Sequence, residues 1–132
     1  MPLCLGAGAL AATLAVESFT LAWTHSIEKV RWEEDWRVVG AALVIDEARI
    51  RGTGAGMEPP QGAVLKSGVW HYTPALPPLP RVELRHSPHV PSYVLCANGS
   101  CQPLTAWLPG LPRDAVLEIA PCLPAAAAGA PG

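Results

Sequence analysis

Fifteen prolines and twelve glycines make up about a fifth of 132 residues, and most of them fall after residue 40. Proline removes a backbone donor and clashes inside a helix, and glycine costs about 0.5–1 kcal/mol in the middle of a regular element. Little room is left for long helices, and short strands joined by tight turns are expected. Half of the residues are apolar, enough to bury a core in one domain of this length. That domain is expected over residues 1–122, with a low-complexity Ala/Pro/Gly tail over 123–132. The net charge of −2 leaves no basic excess for a phosphate backbone, so nucleic acid is not an expected partner.

Period-two patterning runs through most of the chain. In segment 18–26, Phe19, Leu21, Trp23 and His25 share one face, which is expected to be the core face. In segment 28–39, Val30, Trp32, Glu34, Trp36 and Val38 share another, and the alternation favours a strand antiparallel to the first. Segments 41–51, 68–73, 81–87 and 115–120 also read as strands. PALPPLP (74–80) reads as extended surface chain. The strongest hairpin signal is 92–105, where two strand-like runs flank Asn98-Gly99. Eight or nine short strands imply an antiparallel β-sandwich or a partly open barrel.

Residues 3–16 carry no charge. They are too short for a transmembrane helix, so no transmembrane span is expected. They match an export signal in length but have no basic residue ahead of them, since the first is Lys29. A buried hairpin turning at Gly6-Ala7-Gly8 is the preferred reading, and a degenerate export signal is the alternative. By default this places the chain in the cytoplasm.

Three constellations could carry chemistry. Cys96 and Cys101 should oppose each other across the hairpin, as a reduced pair, as a disulfide, or, with His86 and His89, as weak zinc ligands. No metal site and no cofactor is expected. Cys4 and Cys122 read as small buried hydrophobes. His25, with Ser26 and Glu28, reads as a partly buried histidine or a ligand contact, hydrogen-bonded to a backbone carbonyl or to a carboxylate, Glu28 or Glu34. Glu34 shares its face with Trp32 and Trp36, so it needs a partner; Arg49, Arg51 or Lys29 could serve. Arg49 or Arg51, with backbone N–H groups of the glycine-rich turn 52–56, could also hold a small anion. No phosphate loop, dinucleotide fingerprint, HExxH or GxSxG motif is present.

The run FTLAWTHSIEKVRWEEDWRV, followed by EARIRGTGAGMEPP and a late strand hairpin carrying LC, resembles the bacterial domain-of-unknown-function family numbered 1850. The resemblance covers roughly residues 3–105. Family members are often encoded beside TAXI-type components of tripartite ATP-independent periplasmic (TRAP) transporters, and no reaction is assigned to them. The resemblance thus implies a non-enzymatic accessory or ligand-binding module, with transporter subunits or a small anionic solute as partners. It also implies a periplasmic or membrane-adjacent location. The matching positions are His25, Ser26, Glu28, Lys29, Glu34, Gly54, Gly56 and Met57. Two alternatives stand beside it. One is a small hydrolase or isomerase using His25 and Glu34 in a barrel mouth. The other is a structural fragment held by an ion-pair network.

Overall fold

The computed structural model describes residues 1–24, 30–51, 60–90 and 92–123. Among these residues it is an antiparallel sandwich of two sheets that do not close into a barrel. The strands are β1 (Leu3–Ala7), β2 (Leu10–Leu14), β3 (Ser18–Thr24), β4 (Arg31–Val39), β5 (Ala42–Arg51), β6 (Val64–Lys66), β7 (Val69–Tyr72), β8 (Val82–His86), β9 (Val94–Ala97), β10 (Ser100–Pro103) and β11 (Ala115–Pro121). One helical turn, α1 (Leu104–Trp107), follows β10. The smaller sheet has the order β2-β1-β11-β8 and the larger the order β10-β9-β3-β4-β5-β7-β6. No helix among the described residues is long and apolar enough to cross a membrane.

Strand alternation builds the core. Leu3, Leu5, Leu84, Leu117 and Ile119 project from the small sheet. They meet Phe19, Leu21, Trp36, Leu43, Ile45 and Leu95 from the large one. Each fully buried side chain of this size contributes about 1.5–3 kcal/mol. Phe19 and Leu21 are buried as the alternation requires, while Trp23, nearer the strand end, is only partly covered. Leu104 and Leu108 close one edge, and the Trp107 indole N–H donates to the Leu95 carbonyl at 2.8 Å.

The turns explain the hairpins. Asn98 and Gly99 have φ of 53° and 77°, the paired left-handed conformation of a two-residue hairpin loop. Ser67 and Gly68 do the same at 51° and 76°, forming a β6–β7 hairpin that the sequence reading did not include. The N-terminal hairpin turns one residue later than expected: Gly6 stays in β1 and Gly8 takes the positive φ. Leu79, in the extended proline-rich run, exchanges both backbone hydrogen bonds with Leu43 on β5.

Cys4 and Cys122 are not isolated buried hydrophobes. They form a disulfide 118 residues apart in sequence. The reason is register: Leu3 pairs with Pro121, and the Cys122 N–H donates to the Pro2 carbonyl, so the chain ends run side by side. The tail beyond Leu123 lies outside the described residues.

Candidate functional site

The two faces of the large sheet differ. Its inner face meets the small sheet, and its outer face carries a charged network. The pivot is a bulge in β5. Asp35 pairs with Glu47 but Trp36 pairs with Ile45, so Asp46 is an extra residue. Leu43 and Ile45 point inward before it, and Ala48 and Ile50 point inward after it. Without the bulge, Arg49 and Arg51 would lie on the inner face beside Glu34. With it, they face outward.

Arg49 is consequently not the partner of Glu34. Its guanidinium donates to Asp35 through both terminal nitrogens (2.6 and 2.8 Å), to Glu33 at 3.0 Å and to Glu47 at 3.0 Å. Arg31 and Arg51 add Nε bonds to Glu33 at 3.1 and 3.0 Å. The His71 Nδ1–H donates to Glu47 at 2.9 Å, and the Thr20 hydroxyl to Asp35 at 2.7 Å. Burial works to raise the Glu33 carboxyl, but the three arginines outweigh it and hold the group below the usual range. Asp35 is lowered chiefly by Arg49, and Glu47 chiefly by His71. An anion approaching Arg49 would have to displace carboxylates already in place.

Cys96 and Cys101 are directly opposed across β9 and β10 and form a disulfide on this same outer face. Next to it, Thr20, Asp35 and Asp46 line a shallow cleft of about 480 Å³. Among the described residues, no cluster of His, Cys, Asp and Glu has metal-site geometry.

Glu34 sits on the inner face, opposite Leu21 on β3 and Ala48 on β5. The same face carries Trp23, Trp32, Trp70 and Tyr72 toward the end of the sheet defined by Thr24, Arg31 and Arg51. Its hydrogen bond among the described residues comes from the Trp36 indole N–H at 3.2 Å. Burial pushes the Glu34 carboxyl above the ordinary glutamate range, and the Trp36 bond only partly opposes this. With a raised carboxyl pKa, the native state holds, between the unfolded and folded pKa values, a proton that the unfolded chain has lost. Stability therefore falls as pH rises from the unfolded value, about 4.3, through the folded one. Glu34→Gln, which keeps an acceptor for Trp36 without the charge, should raise the melting temperature at pH 7 by a few degrees, on the order of 1 kcal/mol. Calorimetric scans at pH 7 and pH 4 should show that gain shrinking at the lower pH.

Of the other positions read as a site, His25, Ser26, Glu28, Lys29, Gly54, Gly56 and Met57 lie outside the described residues. The expected hydrogen bond of His25, to a backbone carbonyl, Glu28 or Glu34, lies there too. Sequence reasoning missed the roles of Glu33, Asp35, Glu47 and His71. The alternation already put Glu33 and Asp35 on one face of β4, but their cross-strand partners depend on the bulge.

No curated protein and no solved structure matches this chain significantly. The family model described as domain of unknown function (DUF1850) does match, over residues 19–104, from β3 through the start of α1. With well over half of its length covered by that match, the chain belongs to the DUF1850 family.

Proposed function

We propose that this chain is a non-enzymatic ligand-binding accessory module of a TAXI-type TRAP solute transporter, working in an oxidising compartment outside the cytoplasm. The observation that carries the reading is Glu34, a carboxylate set among aromatic rings at one end of the inner face. Such a placement costs stability unless something occupies it, and desolvated ionisable groups of this kind concentrate at functional sites. The two disulfides support the compartment, since thiols in the cytoplasm are kept reduced. The transporter association rests on the genomic surroundings typical of the resembling family.

Two measurements test the proposal. Affinity capture of the tagged chain from native membranes in mild detergent should recover a TRAP subunit. A panel of transportable solutes should raise the melting temperature by mass action in at least one case. Recovery of no transporter subunit overturns the accessory role, and a panel without any shift overturns ligand binding. The raised Glu34 pKa favours a second reading, a small enzyme in which Glu34 and His25 move protons. That reading requires turnover of a solute that Glu34→Gln abolishes without weakening its binding.

A further inference from the structure

The inner face of the large sheet ends in a group of aromatic side chains around one carboxylate. Trp23 on β3 and Trp32 on β4 are directly paired, with ring centroids 6.2 Å apart and planes 11° from parallel. Tyr93, just before β9, packs on Trp23 at 5.4 Å with a 55° tilt. Trp70 and Tyr72 on β7 stand across Ile50 and Ala48, whose other neighbours are Trp32 and Glu34. All five rings and Glu34 keep partial contact with solvent. Ala48 is the small residue in this row, so on β5 only its methyl group stands between the Glu34 and Tyr72 positions.

This combination selects by charge. Aromatic faces present the negative lobe of the ring quadrupole, and they attract cations most strongly where water is excluded. Glu34 adds a formal negative charge, and the Tyr72 and Tyr93 hydroxyls, raised first by burial and then by that charge, both lie within its field. An anion would meet the charge of Glu34 and the negative ring faces. An inorganic cation needs several oxygen ligands, and the surrounding walls are mostly aromatic rings with a single carboxylate. An organic ammonium ion satisfies both halves.

We propose that this end of the sheet binds a small organic ammonium ion, with its charged head at Glu34 and its hydrocarbon against Trp23, Trp32 and Tyr93. The inference rests on the ligand-binding reading above and names the ligand class for it.

The test uses the disulfide-intact chain with choline, its uncharged isostere 3,3-dimethylbutan-1-ol, and succinate as an anionic control, followed by titration calorimetry. Choline should bind saturably, in the roughly millimolar range or tighter. The neutral isostere should bind at least about tenfold more weakly, and Glu34→Gln should lower choline affinity about tenfold. Trp23→Leu, which keeps the apolar contact and loses the ring face, should weaken choline more than the neutral alcohol. Equal binding of choline and its isostere, or choline binding unchanged in Glu34→Gln, overturns the proposal. Binding of succinate without choline also overturns it, while leaving the ligand-binding module intact. Silence from all three probes and from the wider solute panel overturns both.

Discussion

Replacing Cys4 and Cys122 together with serine should lower the melting temperature by roughly 15–20 °C. The disulfide closes 118 residues of chain. A cross-link of that span removes loop entropy from the unfolded state worth about 5 kcal/mol, a large part of the roughly 5–15 kcal/mol that keeps a domain folded. Replacing Cys96 and Cys101, only five residues apart, should cost about 2 kcal/mol on the same entropic basis. Urea titration of the two double variants, each in the absence of reductant, measures the contrast. Similar losses from both would show that span does not govern the effect, and that unfolded-state structure or local packing does.

Arg49→Ala should be the most damaging change on the outer face, costing about 3 kcal/mol at pH 7. Arg49 and Glu33 are both well shielded, with side-chain exposures of 16% and 12%. Removing the guanidinium leaves Glu33, Asp35 and Glu47 clustered with one another. The figure is kept at the low end because Asp35 and Glu47 are more than a third exposed and partly screened by solvent. Arg49→Lys should recover less than half of the loss, since an ammonium cannot span both Asp35 oxygens. The pH dependence has a definite sign. Glu33, Asp35 and Glu47 are all held below their ordinary values. Their stabilisation is present above the unfolded carboxylate range near pH 4 and is lost as pH falls through the lower folded values. Denaturant midpoints of the parent and Arg49→Ala should therefore converge in acid. A constant gap from pH 7 down to pH 2 would refute the network's role. Glu34 acts in the opposite direction on the same titration, so the Arg49 comparison is cleanest in a Glu34→Gln background.

How far the sequence predicts this molecule depends on the range of the interaction. Which residues of β3, β4, β8 and β11 face inward is local information, because side chains alternate regardless of what lies across the sheet. The Asn98-Gly99 hairpin is local too, since it needs only two residues that tolerate positive φ. Pairing Arg49 with Glu34 fails because the single extra residue at Asp46 inverts the facing of everything after it in β5. Nothing in the string AALVIDEARIR marks that inversion. The Cys4–Cys122 bond is also non-local: it depends on β11 returning to lie beside β1. The even number of cysteines was the one available signal, and it gives no connectivity. The Ser67-Gly68 turn was legible in principle, but β6 is three exposed residues long and has little hydrophobic pattern to announce it.

The bond that ties β1 to the residue after β11 has a further consequence for survival. A chain fastened at residues 4 and 122 is, for most of its length, a covalent ring. A single proteolytic cut in any turn between those residues opens the ring without dividing the molecule. The two pieces stay tethered beside each other, and each can re-form its strands against the other at high effective concentration. With its disulfide intact, this protein can be nicked once between those residues and still remain a single molecule.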